Sequence, residues 1–162
     1  MIRILLTFVL CLCMTTPVMA ATYIKSCLQP HEAEAEQGIR IHSELMVIGL
    51  NCQHMTPRGW KNFYQQYREI SARHGALIAG YESTLIAHYT EIGIKNPEGR
   101  LNDLRTVFAN KVSVDAARMR PDLFCTRFAP RLPEVAKMST QQLKEWAAST
   151  YRTVGTSEPL CN

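Results

Sequence analysis

Trp60, Tyr67, His74, Tyr81 and His88 recur at an unbroken spacing of seven residues. Imidazoles in such a row could ligate a metal ion or a haem iron. On a helix, seven residues turn through about 700°, which nearly restores the starting direction, so these side chains would form one row. The rows three and four residues on are Phe63, Ile70, Leu77, Thr84 and Tyr64, Ser71, Ile78, Leu85, Ile92. They flank the first row on either side and place it in the middle of an apolar stripe. His74 and His88 would then stand about 21 Å apart along the axis. A metal needs its ligands within roughly 2 Å, so these two cannot share an ion. Each would need a partner from another helix, such as Met46 for a haem held in a bundle. The blunter reading is structural: large apolar bodies in the core, each polar tip bonded to a backbone carbonyl.

Other chemistry is sparse. Cys52 and His54 could form a thiol–imidazole pair, but two residues apart on a helix they point apart, and oxidation would consume the thiol. Glu82 and Glu91 are acids amid largely apolar sequence, and a glycosidase-like pair would need both inside one cleft. Solvated or capping positions explain them better. The sequence has no Gly-x-Ser-x-Gly and no phosphate-cradling glycine loop. It has no Cys-x-x-Cys either, and Met46, Met55, Met119 and Met138 are too scattered for a copper site. No catalytic residue, metal set or cofactor is assigned.

The N-terminus starts Met-Ile-Arg, runs apolar from Ile4 to Met14, and reaches Val18-Met19-Ala20. That order is a secretory signal peptide with a cut after Ala20. The apolar run falls short of the ~20 residues that span a bilayer. Residues 1–20 are therefore read as signal and 21–162 as a single helical domain, with no transmembrane segment in the mature chain. Cys11 and Cys13 would leave with the signal. Cys27, Cys52, Cys125 and Cys161 remain, an even number in an exported chain, which argues for two disulfides. Cys27 with Cys52 is disfavoured. A helix from His31 to Cys52 would be about 32 Å long, and a disulfide needs Cα atoms within about 7 Å. Two pairings stay open: Cys52–Cys125 with Cys27–Cys161, or Cys27–Cys125 with Cys52–Cys161. The first is preferred because it ties the chain ends together and clamps two helices inside.

The formal charge of +4 drops by one with the loss of Arg3 and names no partner. Its distribution says more. Glu32, Glu34, Glu36 and Glu44 sit early in the chain; Arg100, Arg105, Lys111, Arg118, Arg120, Arg127 and Arg131 sit late. The two sets can face each other or face water. An anionic surface is the alternative, and nucleic acid does not fit an exported chain.

The elements that would position these residues are all helices. Pro30 suits a first helical position, with the early glutamates favoured by the helix dipole. This helix should end near Gln53. Thr56-Pro57 predicts the start of a long central helix running to about Ile92. Its second half has a back of Ala72, Gly75, Ala76, Ala79, Gly80 and Ala87, expected to be buried on more than one side, with a bend or break where the glycines fall. Asn96-Pro97 opens a third helix with Leu101, Leu104, Phe108 and Val112 on its face. Leu123, Phe124 and Phe128 form a short fourth, disturbed by Pro130 and Pro133. Ser139 to Gln142 offers a capping box for a last helix. The tail from Thr153 has no period and would need Cys161 to hold it. The fold class is all-α, a bundle of about five helices around one long central helix, stapled by two disulfides.

The stretch from Ser43 to Cys52, followed by a long helix and then Asp122-Leu123-Phe124-Cys125, resembles a group of small exported proteobacterial four-cysteine helical proteins of unknown function. The resemblance implies a periplasmic location and Cys52–Cys125 pairing, and carries over no active-site residue. Small helical periplasmic immunity proteins share the general size and cysteine use, without a shared motif. The leading functional reading is a periplasmic or secreted, non-enzymatic module that binds an envelope protein, as inhibitor or accessory factor. The alternatives are a haem- or metal-binding bundle and a cell-envelope hydrolase.

Overall fold

The computed structural model describes residues 26–59 and 61–162. The signal segment with its cut after Ala20, and Trp60 of the heptad row, lie outside them. Among the described residues seven helices follow in order: α1 Pro30–Asn51, α2 Phe63–Arg73, α3 Gly75–Glu91, α4 Pro97–Arg118, α5 Pro121–Phe128, α6 Arg131–Ala136 and α7 Thr140–Val154. Among the described residues there is no strand, only one parallel bridge between Leu28 and Leu160. The all-helical, disulfide-stapled bundle expected from the sequence is the fold found, with two more helices than counted.

The helix at its centre is α1. It packs against α7, α3, α4 and α2, and more lightly against α5 and α6. Wrapping on all sides buries Ala33, Ala35, Ile39, Leu45, Val47 and Ile48, and with them Glu32, Glu36, Gln37, Arg40 and Ser43. Its start is held by Pro30 and by a backbone N–H of Gln29 donating to Glu32 Oε2 at 2.7 Å. The carboxylate thus satisfies one of the amides a helix start leaves open.

The segment expected as one helix from Pro57 is two. Thr56-Pro57 loses the start to Asn62, which builds a capping box with Gln65. Gln65 N–H donates to Asn62 Oδ1 at 2.9 Å and Asn62 N–H to Gln65 Oε1 at 3.1 Å. That pairing satisfies two open amides, which a threonine before proline does not. The helix then breaks at His74, where φ is −100° and ψ 13°, next to one of the two glycines that raised the expectation of a break. The backbone bonds His74 N–H to Ile70 O and Ile78 N–H to His74 O persist at 3.0 Å. The break is therefore shallow, and Tyr67, His74, Tyr81 and His88 all still face inward, the first half-buried and the last three buried.

The small-residue back running from the end of α2 along α3 is not buried as expected: Ala72, Ala76, Ala79, Gly80 and Ala87 are exposed. The close approach falls on the opposite face. There Gly38 of α1 meets Tyr81, and a Cβ on Gly38 would lie 2.2 Å from two ring carbons. Gly38→Ala is therefore expected to destabilise by about 1–3 kcal/mol through overpacking. Gly80→Ala, with nothing within 4 Å of its added carbon, should stabilise by up to about 1 kcal/mol. Urea midpoints of the two variants should move in opposite directions; a shared direction would mean that α1 and α3 do not meet at Gly38.

The rest of the core follows the predicted faces. Leu101, Leu104, Phe108 and Val112 of α4 are buried. The expected short fourth helix is split at Pro130 into α5 and α6. α7 opens on Ser139 and Gln142, whose side chains cap each other's backbone amides at 2.8 and 3.1 Å. Gly155, with φ of 81°, ends it in a conformation that favours glycine. The tail then returns to the start of α1. Leu28 N–H donates to Pro159 O at 2.8 Å, Cys161 N–H donates to Leu28 O at 3.0 Å, and Cys27–Cys161 closes the end. Cys52–Cys125 joins the end of α1 to α5. This is the preferred pairing. No described helix is long and apolar enough to cross a membrane, and two disulfides fit a chain that matures in an oxidising compartment.

Candidate functional site

The imidazole and tyrosine row fastens helices to one another. Its polar tips meet side chains, where backbone carbonyls were expected. Tyr67 Oη lies 3.2 Å and Ser71 Oγ 3.0 Å from the same Nε2 of His42 on α1. His74, 1% exposed, places Nδ1 3.2 Å from Thr140 Oγ1 of α7, while its Nε2 has no partner. Tyr81 Oη donates to Glu34 at 3.0 Å. His88 lies between two carboxylates, Nδ1 3.1 Å from Glu32 and Nε2 3.3 Å from Glu158.

The other sequence candidates do not converge. Cys52 is fully buried in its disulfide, and His54 is exposed. Met46 packs against the core. Glu82 pairs with Arg105 of α4. Glu91 lies at a cleft of about 200 Å³ with Glu32, His88 and the Cys27–Cys161 pair. Glu82 does not line that cleft, so the two acids share no cavity there. Among the described residues no three His, Cys, Asp or Glu side chains group as a metal set.

The early acids do not mainly meet the late bases. Glu36, fully buried, accepts from Ser157 N–H at 2.8 Å and from Ser157 Oγ, with Arg40 at 3.7 Å. Arg40 stacks 4.2 Å over the Phe108 ring and donates to Gly155 O at 3.3 Å. Gln37 donates to the same carbonyl at 3.0 Å. Together these groups clamp the tail to α1. Among the described residues, Glu44 alone of these early acids forms an ion pair with the late basic set, through Arg131 at 3.4 Å.

That pair lies in a cleft of about 480 Å³ lined by α1, α6 and α7. Its floor is Arg40, Ile41 and Glu44. One wall is Arg131, Glu134, Val135 and Met138, and the other is Trp146, Thr150, Thr153 and Val154. Burial pushes the Glu44 carboxyl above its ordinary range, against the pull of Arg131, Arg40 and Lys111. Arginines, glutamates and an indole over an apolar floor can hold a ligand by charge and by contact. No sequence spacing signals this site, because its residues come from three separate segments.

Two imidazoles give the fold a pH dependence. Burial lowers the proton affinity of His42, with Arg105 acting the same way and Glu82 opposing. Burial and Arg73 lower that of His74. The unfolded rings bind protons near pH 6.5, where the folded ones resist. Their contribution is complete above that pH and is lost as pH falls through the folded values. Stability should drop between about pH 7 and about pH 5, and the drop should flatten in His42→Gln and His74→Gln. Urea titrations at each pH test this; an unaltered slope in both variants would refute it.

Fold and cleft together define a disulfide-stapled helical bundle with an open, mixed-charge cleft. No protein-family model matches the chain, and no curated protein or solved structure matches it.

Proposed function

We propose that the mature chain is a periplasmic or secreted binding module without enzymatic activity, acting on an envelope protein as an inhibitor or accessory factor. The observation that carries this reading is the cleft over α1. The residues best suited to chemistry, His74, His88 and the cysteines, are committed to joining helices, whereas the cleft presents Arg131, Glu44 and Trp146 to solvent. The signal-like leader, the oxidised cysteines and the resemblance to small exported four-cysteine proteins support the location.

Photo-crosslinking in the native envelope tests the reading. A crosslinker at Thr150, on the cleft wall, should capture one protein reproducibly. A crosslinker at Val107, 60% exposed on α4, should not. Equal capture from both positions, or none from Thr150, would overturn the assignment. Sequencing of the exported protein should begin at Ala21.

A further inference from the structure

We infer that the cleft takes a zwitterionic amino acid or short peptide with an apolar side chain. This rests on the cleft being the binding surface of the module. The inference starts from charge balance. Arg40 already faces Glu36 and the Gly155 carbonyl, so its charge is largely matched within the protein. What the cleft offers a visitor is Arg131 with Glu44 and Glu134. Arg131 and Glu44 stand 3.4 Å apart with side chains 44% and 21% exposed, open enough to trade one another for a ligand.

An anionic ligand would bring its charge against two carboxylates. A cationic one would displace Arg131 from Glu44 and leave the guanidinium beside another cation. An uncharged one would bury the ion pair without replacing the water it loses, which is costly. A ligand bearing both charges a few bonds apart replaces both halves of the pair at once. Its carboxylate meets Arg131, whose planar fork suits that group, and its ammonium meets Glu44 and Glu134. The apolar part then lies on Ile41, Val135 and the Trp146 indole. A cleft of about 480 Å³ is in the ordinary range for a small-molecule site, about 300–1,000 Å³.

Calorimetry on the mature, oxidised protein tests this with phenylalanine and leucyl-leucine, each free, N-acetylated and C-amidated. The free forms should bind, and either block should weaken binding at least about tenfold. The better of the two free ligands reports the span between the charged ends. Arg131→Ala should remove the penalty for amidation but keep that for acetylation, and Glu44→Gln should do the reverse. Blocked forms binding as well as free ones, or no free form binding at millimolar concentration, would overturn the inference. The wild-type arms need no variant to fold. Partner capture from Thr150 without zwitterion binding would sink this inference alone; loss of both would sink the module reading as well.

Discussion

Replacing Cys52 and Cys125 together with alanine is expected to lower the free energy of unfolding by about 4 kcal/mol. The bond closes a separation of 73 residues, so its loss frees a large part of the unfolded chain. Both cysteines are buried, at 0% and 1% exposure beside fully buried Phe124, and the missing sulfurs add a cavity cost. The link also matters locally. It fixes the end of α1 to α5, which has only eight residues and needs an external anchor. The outer bond closes 134 residues, but the inner one already shortens that loop. Removing Cys27 and Cys161 should therefore cost less than its separation alone implies, and should loosen mainly the tail. Chemical denaturation of the two double variants, each with the other bond intact, provides the comparison. A loss below about 1 kcal/mol for the inner pair would mean that the α1–α5 junction holds without it.

Much of the architecture is legible in the residues because its causes are local. Proline marks the starts of α1 and α4 and a polar capping box that of α7, and the Leu101 to Val112 face of α4 follows helical periodicity. The length of α1 argues against Cys27–Cys52 and leaves two pairings open, of which the one that ties the chain ends together is found. The heptad row identifies a buried face, and it survives the break at His74 because the backbone bonds on both sides of that residue are kept. What is not legible depends on contacts between distant segments. The burial of α1 on all sides is one such feature, because Glu32, Glu36, Gln37 and Arg40 are polar and polarity on one helix normally means solvent. The tail partners of Glu36, Gln37 and Arg40, Ser157 and Gly155, lie more than a hundred residues later in a stretch without any period. The cleft is hidden for the same reason. Glu44, Arg131 and Trp146 belong to three helices, and the only trace in the sequence is the segregation of acids early and bases late. Small residues mislead in the other direction. On α3 they line the exposed back, while the glycines at close helix contacts, Gly38 against Tyr81 and Gly49 against Tyr67, belong to α1.

Because the buried polar groups of α1 hold the tail, Glu36→Ala should be among the most damaging single substitutions, at about 3–5 kcal/mol. Glu36 has no exposure, accepts two hydrogen bonds from Ser157 and lies 3.7 Å from Arg40. Alanine would leave Arg40, a residue only 9% exposed, without its nearest counter-charge, and would leave the Ser157 N–H without its acceptor. Glu36→Gln keeps the shape and one carbonyl acceptor but not the charge. It should cost about 1.5–3 kcal/mol, the scale of a hydrogen bond to a charged group. Removing both charges in Glu36→Leu with Arg40→Met should cost less than Glu36→Ala alone, because no buried ion is then left without a partner. Urea midpoints order the three variants, and limited proteolysis reports whether the segment after Gly155 has come away while Cys27–Cys161 still tethers its end. A Glu36→Ala variant within about 0.5 kcal/mol of the parent would behave like an ordinary surface change and would show that the tail is held by its disulfide alone. The expected ordering would instead assign the clamp to α1 itself: the central helix carries charge in its interior because that charge binds the end of the chain.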